Sequence, residues 1–341
     1  MGKLYVTLTL SFALLVLINM IFTLWVFYDW ATGTLDALLR GTNFIETIYY
    51  SIYLKWLLLV DGLWILFALI FMFKRKHYKT DPTLHYLSSN QILDPIVCVI
   101  LPAYNEESSI EAVVKEYINQ KNVKHVIVVD NHSTDRTAEI AERCGAKVIR
   151  KESNKGYAHS CVVGLKESLK IDANIIVLTD CDGTFDARDI AKMIPFLDNC
   201  DMVIGTRQIQ VLTQKGNQNS MFYVWGNLLL AKMLQIKYFS LLHIGVVNLT
   251  DVGCSYRCIR RDALEKIIDK FNSPPANKII HGSSGWLFII YLTMLGIQND
   301  LKIVEVPITF KKRIGISKSG AQKKNKGIKY GLKFLWYIVS S

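Results

Sequence analysis

Between Lys3 and Asp29 the chain runs for 25 residues without a formally charged side chain. As an α-helix rising about 1.5 Å per residue, that stretch is about 37 Å long, more than the roughly 30 Å hydrocarbon core of a bilayer. It predicts a transmembrane helix over residues 4–28. The run is too long for the apolar part of a signal peptide, and no small-residue cleavage pattern follows it. A second apolar run, residues 48–73, is interrupted by Lys55 and Asp61 and predicts a second spanning helix. Lys55 lies near an end and can reach the interface with its long stem. Asp61 falls near mid-bilayer and needs a partner: a polar contact in a lipid or substrate path, or a buried bond to Asn19 or Thr23 on the first helix.

Flanking charge gives the orientation. Lys3 precedes the first helix and Lys74, Arg75, Lys76 and Lys79 follow the second, whereas residues 29–47 carry Arg40 as their one basic residue. Both ends are therefore expected on the cytoplasmic side. Residues 1–80 form the membrane portion and 81–93 a linker. The 341 residues are 51% hydrophobic, which excludes a disordered chain, and the apolar excess is local rather than uniform. None of the seven cysteines forms a C-x-x-C pair, and Cys254 with Cys258 lacks further Cys or His ligands. Reduced thiols and no structural zinc are expected.

From residue 94 the pattern becomes that of a globular α/β domain. Short β-branched runs at 96–101, 126–130, 147–150, 175–180 and 202–206 alternate with helical stretches, one opened by Asp135 and closed by Gly145, another opened by Asp186 and Asp189. Alternation of this kind implies a mainly parallel, Rossmann-like sheet. Ligands of such sheets bind beyond the carboxyl ends of the strands. There the chain places Pro102 to Glu107, then Asp130-Asn131, then Thr179-Asp180-Cys181-Asp182. Several carboxylates on one rim repel one another unless a cation or hydrogen-bonding ligand compensates them, and carboxylate oxygens suit Mg²⁺ or Mn²⁺ bridging to phosphate. Each feature also has a structural reading. A lone D-x-D can begin a turn, Asp130 with Ser133 and Asp135 can be turn and cap chemistry, and Pro102 can simply end a strand. The ordered combination at successive strand ends is far more specific than its parts.

The series Leu101-Pro-Ala-Tyr-Asn-Glu-Glu, Val129-Asp-Asn-His-Ser-Thr-Asp, Asn154-Lys-Gly, Asp180-Cys-Asp and Ile204-Gly-Thr-Arg207 resembles the family-2 glycosyltransferases of GT-A fold. Asp251-Val-Gly-Cys-Ser-Tyr-Arg257 and the segment from Val306 to Lys318 resemble the branch typified by dolichol-phosphate mannose synthase. The resemblance covers residues 94–318. It implies that Pro102, Tyr104, Glu106, Asp130, Lys155 and Asp180 hold the nucleotide of a UDP- or GDP-sugar donor. It also implies that Asp180, Asp182 and Thr184 form the metal and diphosphate site, and that Arg207, Arg313, Ser317 and Lys318 contact donor or acceptor phosphates. Asp182, Arg207, Asp251 and Arg313 are the residues expected to carry catalysis. One departure stands out: no Arg precedes Asn227, where Val224 and Trp225 stand and Lys215 is the nearest upstream basic residue.

The acceptor is narrowed by a gap. Related transferases that activate a sugar hydroxyl have a carboxylate base in the helix before the final motif, but the stretch from Gly285 to Leu292 contains no Asp or Glu, and Tyr291 stands where Glu is common. A phosphate acceptor is already anionic and needs little help from a base, so the gap favours a polyprenyl phosphate. Asp251 remains open as a base or as a turn cap. The Q-x-x-R-W pattern of processive synthases is missing, so one sugar per acceptor is expected. Residues 221–247 are apolar with Lys232 and Lys237, suited either to the bilayer interface or to packing within the domain. After Val306 come nine basic residues and no acidic one, nine of the formal +11. Beside Phe334, Leu335, Trp336 and Tyr337, they make residues 319–341 a basic, aromatic membrane-proximal tail that favours anionic headgroups over nucleic acid. The resulting expectation is an inverting, metal-assisted glycosyltransferase at the cytoplasmic face. Transfer to a lipid hydroxyl or lipid-linked saccharide is the near alternative, and a non-catalytic membrane scaffold the distant one.

Overall fold

The computed structural model describes residues 2–41, 43, 45, 49, 51–74, 86–215, 217, 221–238, 247–282, 285–315 and 324–341. The chain divides into two compact units, residues 1–77 with 339–341, and residues 78–338.

The first unit is built on helices α1 (Gly2–Arg40) and α2 (Ile52–Lys74). Among the described residues, Leu14–Arg40 is the one helical stretch long and apolar enough to cross a membrane. Helix α1 continues past residue 28, where the predicted spanning segment ends. Thr32 and Thr34 donate their hydroxyls to the carbonyls of Tyr28 and Trp30 one turn back, at 3.1 and 2.6 Å, and Asp36 pairs with Arg40 at 3.6 Å. Polar groups satisfied on the helix itself give it no reason to end, and it breaks only at Gly41, whose φ of 66° suits glycine. Helix α2 runs antiparallel to α1. Phe22 stacks on Trp56 with ring centroids 6.4 Å apart, Trp25 on Tyr53 at 5.2 Å, and Ser51 donates to Asp29. Asp61 finds a partner on α1, where the Asn19 amide donates to its Oδ1.

The second unit is mixed α/β. Its strands are β1 (Val97–Ala103), β2 (Val123–Asp130), β3 (Lys147–Arg150), β4 (Ile175–Leu178), β5 (Met202–Thr206), β6 (Arg257–Arg260) and β7 (Ile303–Pro307). Its helices are α3 (Ile110–Ile118), α4 (Thr137–Arg143), α5 (Tyr157–Ser168), α6 (Ile190–Met193), α7 (Met221–Lys237), α8 (Arg261–Ile268), α9 (Pro274–Ile280), α10 (Phe288–Gln298) and α11 (Lys324–Ser340). The sheet order is β3-β2-β1-β4-β6-β5-β7, with β6 antiparallel to both neighbours and every other pairing parallel. β1, β4 and β5 are buried along their whole length, as apolar strands covered on both faces should be.

Strands β1 to β5 lie where the β-branched runs predict them. β6 and β7, RCIR and IVEVP, add two that the sequence pattern does not single out. Helix α10, which carries Tyr291, is buried along nearly its whole length, and that ring packs with Phe271 and Phe288. The position without a carboxylate is thus occupied by a core aromatic. Helix α7 buries Leu230, Ala231 and Leu234 and exposes Trp225, Leu229 and Ile236. Helix α11 packs Tyr330 and Phe334 on Trp286 and exposes Ile328, Leu332 and Trp336. The Lys237 ammonium donates to the Ile338 carbonyl at 2.6 Å and so ties the ends of these two helices together. All seven cysteines are unpaired thiols, six of them buried.

Candidate active site

Strand β1 pairs with β2 on one side and β4 on the other, so the crossovers leave β1 in opposite directions and open a crevice at its carboxyl end. The loops there are stitched to one another. Ser133 and Thr137 accept the amides of Asn105 and Glu106 at 2.9 and 2.8 Å, and the Asn105 side chain accepts the Thr134 amide at 2.8 Å. Asn105 has φ 53°, a conformation its short polar side chain tolerates. Pro102 lies in β1 beside Val129, and its carbonyl accepts from the Cys181 thiol at 3.1 Å. Tyr104 follows, half-buried. Asp130, 2% exposed, takes the Ser133 amide with both oxygens. The Asn154-Lys155-Gly156 turn is held against the end of β2, since Asn131 donates to Asn154 Oδ1 at 2.7 Å and accepts the Lys155 amide at 3.1 Å. Lys155 itself is exposed.

Asp180 and Asp182 follow β4. Asp180 accepts the Tyr157 hydroxyl at 3.0 Å and the Ser255 hydroxyl at 2.6 Å, one on each oxygen. Burial and then the neighbouring Asp182 charge push its pKa up to about 6. Asp182 Oδ1 accepts both the amide and the hydroxyl of Thr184, at 3.0 and 2.6 Å. Thr184, expected among the metal ligands, therefore gives its proton to Asp182 and orients that carboxylate. Asp182 Oδ2 faces Arg313 Nη1 at 2.7 Å, while Arg313 Nη2 reaches Glu106 at 2.8 Å. The segment carrying Arg313 is laid across the D-x-D turn by the Lys311 amide on Thr184 O at 2.7 Å and the Ile314 amide on Asp182 O at 2.9 Å. Gly183 suits that crossing because its φ of 78° is a conformation other residues rarely adopt, and its missing Cβ leaves room for Ile314. Arg313 Nε is buried with no partner among the described residues.

Arg207 and Asp251 form a bidentate pair, Nε to Oδ2 at 2.7 Å and Nη2 to Oδ1 at 2.8 Å, with the guanidinium 5.2 Å from the centre of the Phe310 ring. The amides of Arg207 and Gly253 also donate to Asp251, and Glu305 on β7 holds the loop by accepting the Thr250 and Asp251 amides at 2.7 and 2.9 Å. Burial alone would raise the Asp251 pKa, but the Arg207 charge and these hydrogen bonds outweigh it and hold the carboxyl below its ordinary value. Fully buried, saturated and acidic, it is built to hold Arg207 rather than to take a proton.

Sequence reasoning does not find Tyr157, Ser255, Glu305 or Lys151. The Lys151 ammonium donates to Asn131 and, at 3.1 Å, to Ser160; burial, then the charge of Lys155, lowers its pKa to about 8. Lys311, counted in the basic run, is spent on Glu116 at 2.7 Å and Asp186 at 3.2 Å. Ser317 and Lys318 lie outside the described residues. Among the described residues no three His, Cys, Asp or Glu side chains gather as a closed metal cage. The Asp180–Asp182 pair still fits a hard divalent cation that completes its shell with substrate oxygens, because its donors are all oxygen and its two carboxylates repel.

Residues 98–268 match the model of the family described as Glycosyl transferase family 2. Polyprenol monophosphomannose synthase of Mycolicibacterium smegmatis is 28% identical over 228 residues, covering 64% of this chain and 79% of that protein. Undecaprenyl-phosphate mannosyltransferase of Micrococcus luteus is 26% identical over 231 residues, covering 65% of this chain and 86% of that protein. The chain spans about half the length of several other curated relatives that it matches. A crystal structure of glucosyl-3-phosphoglycerate synthase from Mycobacterium tuberculosis with Mn²⁺, UDP and phosphoglyceric acid is 17% identical with a TM-score of 0.48, covering 72% of this chain and 78% of that one.

Proposed function

The chain belongs to glycosyl transferase family 2, and from that premise we propose that it moves one hexose from a UDP- or GDP-sugar onto a polyprenyl phosphate. The observation that carries this reading is the rim itself: Glu106, Asp130, Asp180 and Asp182 at the carboxyl ends of β1, β2 and β4, faced by Arg313 with an unpaired buried N–H. Pro102, Tyr104, Asp130 and Lys155 line the nucleoside side. Asp182 and Asp180 are the residues that would hold Mg²⁺ or Mn²⁺, whose chemistry is to neutralise the diphosphate as it leaves. Thr184, Tyr157 and Ser255 keep the two carboxylates in place.

Arg313, with Lys318 and Ser317 further along the same segment, meets phosphate oxygens. Arg207, its charge balanced by Asp251, shapes the acceptor side of the cleft and turns its guanidinium edge toward the acceptor phosphate. An acceptor phosphate so held attacks the anomeric carbon from the face opposite the diphosphate, so an α-linked donor yields a β-linked lipid-phosphate sugar. No proton has to be removed for that attack, and positioning with charge neutralisation lowers the barrier. Mannosyl transfer to polyprenyl phosphates, which the names of two relatives state for those proteins, supports the acceptor class.

Helices α1 and α2 anchor the enzyme as a two-span hairpin with the catalytic domain on the cytoplasmic side. The apolar stripes of α7 and α11, flanked by Lys232, Lys329 and Lys333, rest on anionic headgroups. The test is to incubate membranes holding the enzyme with a panel of radiolabelled UDP- and GDP-sugars and a polyprenyl phosphate. The expected product extracts into organic solvent and releases its sugar in mild acid. An acid-stable glycolipid would assign the acceptor to a hydroxyl instead.

A further inference from the structure

Beside the Asn19–Asp61 contact the helix pair leaves a groove of about 290 Å³, lined by Val16, Asn19, Met20, Asp61 and Trp64. The contact spends one N–H of Asn19 on Asp61 Oδ1. Asn19 Oδ1, its second N–H and Asp61 Oδ2 have no partner among the described residues, although an amide and a carboxyl group together offer several more bonds. In hydrocarbon no water can supply them. The groove therefore presents an unspent donor and unspent acceptors side by side at one depth.

That mixture selects its occupant. A lipid chain would satisfy neither kind of group. A cationic side chain of another protein would satisfy Asp61 and leave the Asn19 donor unmet. A second copy of the same hairpin carries both kinds. Because every copy enters the membrane with the same orientation, two copies are related by an axis along the membrane normal, and that rotation preserves depth. Asn19 of one and Asp61 of the other then lie at equal height, so that copies docked groove to groove bring them together, with Met20 and Leu24, both exposed, packing around them. Resting on the reading of α1 and α2 as membrane-spanning, we propose that this groove is where a second copy of the chain docks, each Asn19–Asp61 pair completing the other.

The test is oxidative cross-linking of Met20→Cys in the full-length enzyme in its native membranes, with the unsubstituted protein as blank, since its seven thiols all lie beyond residue 97. A disulfide-linked dimer is expected. Its yield should fall at least about fivefold with Asp61→Leu or Asn19→Leu, both of which keep the helices apolar, and should persist with Asp61→Asn, which keeps the hydrogen bonding. A monomer, a dimer indifferent to Asp61→Leu, or a stoichiometric foreign protein held through Asp61 would each overturn the proposal. Extraction by alkaline carbonate separates the two levels of failure. A chain released by carbonate overturns the anchor itself, whereas one that stays in the membrane as a monomer overturns only the docking.

Discussion

Asp251 meets two guanidinium N–H groups and two backbone amides, whereas Asp180 meets two neutral hydroxyls and, two residues on, another carboxylate. Both lie by the rim of the same sheet, and both carry one negative charge. The first centre is complete without any ligand, and its pKa is held down; the second is short of positive charge, and its pKa is pushed up. A folded chain tolerates an uncompensated carboxylate where something outside the chain completes it. The contrast therefore sorts the acidic residues into those that build the cleft and those that work in it.

The comparison breaks most decisively at Asp182. Asp182→Asn should lower sugar transfer by about a thousandfold or more, the loss of roughly 4 kcal/mol of transition-state stabilisation, with an unchanged circular dichroism spectrum. Wild-type turnover in that variant would remove the metal role. Next in size is Asp251→Asn, which leaves Arg207 as a largely buried charge without its counter-ion. It should cost about 3–5 kcal/mol and lower the apparent Tm by roughly 10 °C. A variant as stable as the parent would mean that the pair is not a scaffold.

Asp180→Asn should do the reverse, relieving repulsion and raising the metal-free Tm by roughly 2–4 °C while transfer is lost. A fall in Tm would place Asp180 with the structural acids. The smallest effect is on pH. Because folding raises the Asp180 pKa from about 3.8 to about 6, its contribution favours the native state below pH 4 and is lost as pH rises through about 6. Metal-free melting followed from pH 4 to 7 should show that decline, and Asp180→Asn should flatten it. An identical slope in the variant would assign the decline to another group.

Much of the fold and of the acidic rim is legible in the sequence. Strands β1, β2, β4 and β5 carry apolar runs bounded by turn residues, and a period-2 or continuous apolar signal survives without tertiary context. RCIR becomes a strand because β4 and β5 pair it on both sides, and IVEVP because β5 pairs it along one edge, which no local pattern records. How far α1 runs beyond residue 28 is hidden for a related reason. Asp29 and Asp36 look like loop charges until Ser51 and Arg40 are seen to answer them. At the site, the acidic rim could be read because strand order puts successive strand ends together. Tyr157, Ser255 and Glu305 could not, since each is 50 or more residues from one of the groups it serves or reaches it through a strand the pattern missed, or, for Tyr157, begins a helix whose outward face looks like any other.

The reversal of β6 has a consequence for how this enzyme can diversify. A strand running with its neighbours offers the cleft whatever follows it; one running against them offers whatever comes before. Residues 247–256 are thus brought to the rim that carries Asp180 and Asp182, while Arg261 and α8 are carried to the opposite edge. Lengthening the chain ahead of β6 would remodel the cleft, and lengthening it behind β6 would add surface at the far edge of the sheet.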